Sequence, residues 1–586
     1  MIPGINAPFG YVAKLTGAGV DDLKLLFSFI ISYPLAAVLK RIPDSRPNLK
    51  NIYIVSIGLF FLIGLFDLYA GIRTILISAG GTYVVSYYID GTLMPWIVFV
   101  FLMGHMSSNH IIRQRLDDPS QVDITGMQMV MIMKLSAFAW NVHDGRIKRD
   151  LLTDGQKEKA IYKMPGFLDY SAYVLFFPAL FTGPAFDFND YKRYIETTMF
   201  EVKKGDPAPP TRGQGRIPRS GTPATLKLVE GLVWILLFLQ LGAYYYPGFV
   251  LTDQYWTYSF PRRVWYLYAL GFTSRLKYYG VWTLTEGGCI MSGLGYNGID
   301  PVTKKARWDR LNNVYPWGIE SAQNARGYME GWNKNTNNWL RNYVYLRVTP
   351  RGKKPGFRAT LITFTTSAFW HGFYPGYYLT FVLGAFVQTV AKNFRRHIRP
   401  FFLKPDGKQA TKYKIYYDAA CWLITQTAFC FVTAPFVILG FSDSIKAWAR
   451  VYFYCIVGVA ASMAFFASPA KVWLVKRLDK RNHPHVLNRT MSDSRMPHLG
   501  MPDTEEIDRA VDEIKAEVEE RRRRGSKVEF PSGEKLRHAI SQRVYLNRNE
   551  KGEIVAIGDN KMDLDHVSET INETVMGSSG KKERGH

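Results

Sequence analysis

The run LLFSFIISYPLAAVL at residues 25–39 is the first of eleven apolar segments near membrane-spanning length. The others are 52–72, 74–89, 93–106, 125–140, 168–186, 228–247, 264–291, 359–395, 416–441 and 450–468. A helix that crosses a bilayer needs about 20 mostly apolar residues, fewer where protein covers its ends. Several of these runs are short, and 359–395 is long enough for a bent helix or a pair. The pattern therefore predicts an all-α, polytopic integral membrane protein with about nine to twelve transmembrane helices. The first run is followed by Lys40, Arg41 and more apolar spans, with no small-residue cleavage site. It reads as a retained helix rather than a signal peptide.

Working outward, the 586 residues are 47% hydrophobic and 15% aromatic, which excludes disorder of the whole chain. The mean hydropathy of −0.09 averages two unlike parts. Residues 1–477 hold the apolar runs, and 478–586 form a charged basic tail. Within the tail, 504–524 places Ile507, Val511, Ile514 and Val518 on one helical stripe, acidic residues leading and four arginines ending it. The four cysteines, Cys289, Cys421, Cys430 and Cys455, sit in apolar aromatic stretches and read as reduced, packed thiols. The net charge of +24 comes from basic residues scattered among apolar segments, which argues against nucleic acid. In a membrane protein such an excess belongs to cytoplasmic loops and tails, so the tail is expected on the cytosolic side.

Asp67, Lys134, Arg275, Lys277 and Glu286 lie in or beside apolar runs. Ionisable groups there normally face a bundle interior or a wet cavity, so their number predicts an internal cavity. Taken singly, Arg275 and Lys277 read as side chains that snorkel to the interface. The loop 201–224 is rich in Pro, Gly and basic residues and suits a flexible connection. The polar stretch 297–358 is too aromatic for a solvated linker and is expected to pack on or dip into the membrane face. GLGYNG at 293–298 lacks the strand, helix and acidic residue of a dinucleotide fingerprint and reads as a turn. Asn109-His110 has Arg115 where the NHxxxxD acyltransferase signature needs Asp.

Two segments carry chemistry. In RGYMEGWNKNTNNWLRNYVYLR at 326–347, a continuous helix would place Glu330, Asn333, Asn337 and Arg341 on one stripe. Trp332, Trp339 and Tyr343 would fall on other faces as anchors. An unmet buried amide costs a few kcal/mol, so four Asn among aromatics point to a solvated surface or a polar site. In FTTSAFWHGFYPGYY at 364–378, His371 lies among Phe369, Trp370, Phe373 and Tyr374. A helix running on through Pro375 would lose the bond to the His371 carbonyl, so it should bend there, helped by Gly372 and Gly376. An isolated histidine of this kind is usually a satisfied core residue, but at a helix break in a membrane it is a functional candidate.

WHGFYPGYYLTF with WNKNTNNWLRNYVYLRV resembles the membrane-bound O-acyltransferase family, whose diagnostic histidine sits in a WHG-type motif in an apolar helix. The family's Asn or Asp lies upstream at a distance that Trp332-Asn333 matches. LFFPALFTGPAFDFNDYKRYI at 175–195 is similar to a segment of the glycerophospholipid branch, and fungal lysophospholipid acyltransferases of the endoplasmic reticulum are the nearest in kind. The resemblance covers about residues 20–470 and implies the fold of that family, with helices around an internal reaction cavity.

It also implies acyl transfer from acyl-CoA, as co-substrate, to the hydroxyl of a lysophospholipid, with no bound cofactor and no metal. His371 would be the base that takes the hydroxyl proton. Asn333 would orient the acceptor or donate to the developing oxyanion. Trp332, Asn337, Glu330, Arg341, Tyr343 and Trp370 are candidates for substrate contact. Arg347, Arg351 and Lys353, with Arg341 and Lys354, are candidates for the CoA phosphates or equally a positive-inside loop. No Ser or Cys is placed for a covalent acyl-enzyme, so direct attack in a ternary complex is expected. Competing readings are acylation of sterol, diacylglycerol or protein, and a polytopic transporter with a regulatory tail; inverted repeats, which a transporter would carry, are not found.

Overall fold

The computed structural model describes residues 6–116, 124–201, 216–349, 356–404 and 409–482, and isolated positions of the tail. The loop residues 202–215 lie outside the described residues, as does most of 504–524. Two compact units are separated, Met1–Pro484 and His485–His586. In the second, Ile514, Lys515, Val518 and Glu519 are helical, with Ile514 and Val518 buried. Asn547–Arg548 there pairs antiparallel with Ile554–Val555. These are the only strands among the described residues.

The first unit is helical. Its principal helices are α1 (Val20–Leu39), α2 (Pro47–Leu59), α3 (Met94–Leu116), α4 (Thr125–Arg146), α5 (Gly221–Gly242) and α6 (Phe260–Ser292). Two short helices follow, α7 (Ala325–Gly331) and α8 (Lys334–Leu340), then α9 (Phe357–His371), α10 (Pro375–His397), α11 (Lys414–Ile438) and α12 (Pro469–Asn482). The last runs across the boundary expected at 477/478.

Among the described residues, four helical segments are long and apolar enough to cross a membrane: Val20–Leu39, Pro47–Leu65, Gly221–Leu251 and Lys414–Ile438. A fifth span results if Phe441–Ala449 and Tyr454–Ala467, bent by 78°, count as one. The remaining runs lose that character for two reasons. Some break: 168–186 splits into a helix Phe167–Val174 and a turn Phe177–Ala179 at Pro178. Others carry polar groups inward, and α4 is buried along nearly its whole length with Lys134, Asn141 and Asp144 in it.

The 33-residue α6 is the central column. Pro261 opens it, where a missing N–H costs nothing, and Gly293 ends it at φ +110°. GLGYNG is thus a helix end and turn. Leu284 and Cys289 of α6 enter an aromatic core with Phe61, Phe138, Tyr173 and Phe176. Tyr266, Tyr279 and Trp282 enter a second core with Phe431 and Trp448. The Tyr33 hydroxyl of α1 donates to the Leu284 carbonyl at 2.9 Å, fixing α1 against the column.

Two of the cations in these runs, Arg275 and Lys134, find partners inside the protein. Arg275 is not a snorkelling side chain: it is buried, with two 2.8 Å bonds to Glu320, which also accepts from Tyr279 at 2.7 Å. A fork-shaped cation meeting a carboxylate at both nitrogens offsets the desolvation that a lone cation would suffer. Lys134 Nζ donates to the Tyr173 carbonyl at 2.5 Å and lies 4.4 Å from the Tyr173 and Phe186 ring centres. Lys277 and Asp67 are exposed.

Candidate active site

The run 359–395 folds as a pair, with α9 and α10 joined by Gly372, Phe373 and Tyr374. Pro375 opens α10, so the break falls where its missing N–H demands one. Gly372 adopts φ +119°, and its N–H closes α9 on the carbonyls of Ala368 and Phe369 at 3.2 and 3.1 Å. A side chain would be strained there and would also press on the His110 ring, 3.1 Å from an added Cβ. The pair is antiparallel, Phe357 meeting Phe386 and Phe364 meeting Phe381. That leaves His371 at the tip of a hairpin.

Aromatic rings box the imidazole: Trp370 at 4.7 Å, Phe436 at 4.9 Å, Phe381 at 5.2 Å and Tyr377 at 5.6 Å between centres. Among the described residues its ring contacts are these, with His110 as a titratable neighbour, and its nitrogens are not used for structural hydrogen bonds. His110 of α3 supports the break from behind. Its Nε2 donates to the Trp370 carbonyl at 3.1 Å, one of the orphan acceptors at the end of α9.

The helix expected over 326–347 is interrupted. α7 ends at Gly331 and α8 starts at Lys334, because Asn333 takes φ +41° and ψ 57°. A non-glycine residue in this left-handed region costs about 1–3 kcal/mol, least for Asn. Asn333 is the N-cap of α8, its Oδ1 accepting from the Thr336 N–H at 3.4 Å. The single stripe of Glu330, Asn333, Asn337 and Arg341 therefore does not form. Glu330 is exposed and pairs with Arg326 at 2.7 Å, and Arg341 is exposed. Asn337 is spent on structure, donating to the carbonyls of Met329 and Trp332 at 2.6 and 2.7 Å. Trp332 meets Tyr278, Tyr279 and Trp282 of α6 edge to face.

Both motif segments dock on α4, the apolar run in which Lys134 marks an inward-facing polar group. Thr336 donates to Met133 sulfur at 3.2 Å and Trp339 Nε1 to Ser136 at 2.8 Å. The Tyr343 hydroxyl meets Asn141 at 3.0 Å, and Arg347 holds Asp144 with bonds of 3.1 and 2.5 Å. From the hairpin side, Trp370 Nε1 donates to the Met129 carbonyl at 3.0 Å, and its ring lies 6.1 Å from Trp339. α4 is thus a rail that sets α8 beside the tip of α9. Tyr343, Trp370 and Trp339 are its anchors. Arg347, a candidate phosphate ligand, is engaged by the Asp144 carboxylate, which is 1% exposed, and the Arg347 guanidinium lies 4.1 Å over the Trp140 ring. Arg351, Lys353 and Lys354 lie outside the described residues. The polarity of Ser136, Asn141 and Asp144 inside an apolar helix was the available signal for the rail.

A polar cavity of about 190 Å³ borders α8 without including His371 or Asn333. Asn335, Asn338 and Asn342 line it together with two ion pairs, Lys159–Asp187 at 2.8 Å and Arg310–Asp190 at 2.9 Å. Burial lifts the Asp190 carboxyl above its ordinary value, against the opposing pull of Arg310.

The membrane-bound O-acyltransferase family model matches residues 118–433, which include both motif segments and the rail. The chain is 42% identical over 510 residues to a lysophospholipid acyltransferase of Schizosaccharomyces pombe, an alignment covering 86% of this chain and 99% of that one. It is 44% identical over 469 residues to the Saccharomyces cerevisiae lysophospholipid acyltransferase, with 78% and 76% covered. A membrane-bound glycerophospholipid O-acyltransferase 1 of Mus musculus is 32% identical over 423 residues, with 71% and 82% covered. With the histidine at a helix break, the asparagine at a left-handed turn and these extended likenesses, the chain belongs to the membrane-bound O-acyltransferase family.

Proposed function

We propose that the protein is a lysophospholipid acyltransferase, moving the acyl group of an acyl-CoA thioester to the free hydroxyl of a lysophospholipid. The observation that carries this reading is the 42% identity spanning 99% of the fission-yeast lysophospholipid acyltransferase. His371 is the general base. The hydroxyl oxygen attacks the thioester carbonyl carbon while its proton passes to an imidazole nitrogen. The carbonyl oxygen becomes an oxyanion. Asn333 uses its Oδ1 as a helix cap, so its Nδ2 is the group left to donate, which suits the oxyanion better than a role as acceptor. Collapse breaks the carbon–sulfur bond, and the imidazolium returns its proton to the CoA sulfur. The aromatic box supports the reading further, because it keeps out water that would hydrolyse the thioester.

In this reading Arg351, Lys353 and Lys354 meet the CoA phosphates, while Arg347 serves as a strut. The membrane domain, 1–477, sits in the endoplasmic reticulum membrane with about nine to twelve spans, the buried α4 and α6 among them. The tail, 478–586, is cytosolic. The experiment is a transfer assay with labelled acyl-CoA against a panel of lysophospholipids, sterol and diacylglycerol. Labelled phospholipid is the expected product. Labelled sterol ester or triacylglycerol with no phospholipid would overturn the reading.

A further inference from the structure

The left-handed turn at Asn333 is held from outside by a segment that neither motif contains. The Tyr315 N–H donates to the Gly331 carbonyl at 2.8 Å, just before the turn. Just after it, the Lys334 N–H donates to the Asn313 carbonyl at 2.8 Å, and the Asn335 N–H to Asn313 Oδ1 at 3.2 Å. Asn313 is 3% exposed. The neighbouring Asn312 ties the same segment to the central column. Its Nδ2 donates to both oxygens of Glu286, at 3.3 and 3.2 Å, and its Oδ1 accepts from Lys334 Nζ at 2.8 Å. Glu286 is 2% exposed on α6. The turn is thereby clamped on both sides and anchored to a buried carboxylate of the central column α6.

We propose that Asn313 is a positioning residue for acyl transfer, whose two carbonyl oxygens hold the first two N–H groups after Asn333 and so keep Asn333 in the left-handed conformation that aims its amide. The first four N–H groups of a helix have no partner of their own. Here Asn313 takes two of them, and Asn333 itself caps a third, at Thr336. Without the Asn313 side chain the Asn335 N–H can be satisfied by water, and the backbone of Asn333, left with the main-chain bond to Lys334 alone on that side, can relax toward the more populated right-handed region. The inference rests on the reading of Asn333 as a participant in the chemistry, since a bystander would not need aiming.

The test is steady-state kinetics on monodisperse, full-length enzyme with acyl-CoA and a lysophospholipid, for Asn313→Ala, Asn313→Asp, Asn333→Ala and the double variant. Asn313→Ala should lower kcat at least tenfold with both KM values within about threefold, since a misaimed donor weakens the transition state more than binding. Asn313→Asp keeps the side-chain acceptor and should recover most of that loss. Adding Asn313→Ala to Asn333→Ala should cost little more than Asn333→Ala alone. Hydrogen exchange of peptides over 331–337 should quicken in Asn313→Ala and not in Asn313→Asp. Should Asn313→Ala fail to yield folded protein, Asn313→Ser, whose hydroxyl is too short to reach Asn335, takes its place with the same expectation.

An inactive Asn333→Ala beside an Asn313→Ala enzyme of normal kcat overturns the positioning role alone. So does a loss confined to KM, a multiplicative double variant, or no recovery in Asn313→Asp. A fully active Asn333→Ala overturns the reading of Asn333 and the inference with it.

Discussion

In the proposed reaction, His371 and Asn333 would be left available in opposite ways. His371 keeps its nitrogens uncommitted because the groups around it are rings, whereas Asn333 commits its carbonyl oxygen to a cap and leaves its amide nitrogen. If the imidazole is the base, His371→Gln keeps polarity and loses the basic nitrogen, and turnover per folded molecule should fall by ~10²–10⁴-fold. A variant retaining more than about a tenth of normal turnover would remove His371 from the mechanism, given that expected range. Asn333→Ala should also be severe. If both groups act on one transition state, as proposed, the double variant should lose much less than the product of the single losses. A purely packing role would instead lower abundance and detergent stability and leave turnover of the surviving enzyme near normal.

Among the elements, two contacts set where the site sits. α10 meets the end of α11 so closely that a Cβ on Gly376 would lie 2.0 Å from the Pro435 carbonyl oxygen, and the Gly376 N–H bonds the Leu439 carbonyl at 2.9 Å. A backbone atom cannot swing aside as a side chain can. Gly376→Ala should therefore cost about 1–3 kcal/mol of overpacking strain, read as a lower unfolding temperature in detergent, and should displace the hairpin tip enough to lower turnover as well. On the other flank, Arg347 neutralises an Asp144 that is almost wholly buried. Removing the arginine strands a buried carboxylate, so Arg347→Ala should destabilise by about 3–5 kcal/mol, and Arg347→Ala with Asp144→Ala should be closer to normal than Arg347→Ala alone. A folded, stable Arg347→Ala enzyme with a raised KM for acyl-CoA would return Arg347 to the phosphate ligands.

For the whole molecule, every side chain assigned to the chemistry lies in the first compact unit, Met1–Pro484. Truncation after Pro484 should leave transfer activity within about threefold of normal, since interactions made only outside the site leave the transition state untouched. A loss beyond tenfold would place part of the machinery in the tail. The sequons at Asn488 and Asn572 report its side of the membrane. With Lys and Arg crowding the last span, neither should be glycosylated, and sugar on either would put the tail in the lumen.

The helical membrane class could be read from the linear chain because it depends on a local quantity, the length of apolar runs, whereas the chemistry was implied by the resemblance of the paired WHG-type and Asn-rich aromatic runs to a known family. The break at His371 followed from a missing N–H, a property of one residue. The break at Asn333 did not, since Asn is an ordinary helix resident unless something outside the helix rewards a left-handed turn. Here that something is Asn313 and Tyr315, and their hydrogen bonds exist only once the chain has folded back. The same holds for the rail. Ser136, Asn141 and Asp144 are docking points because Trp339, Tyr343 and Arg347, about 200 residues away, arrive with matching donors. Burial of a polar group is tolerated only with its partner, so the partner decides which charges turn inward, and partners of that separation are a property of the tertiary structure alone.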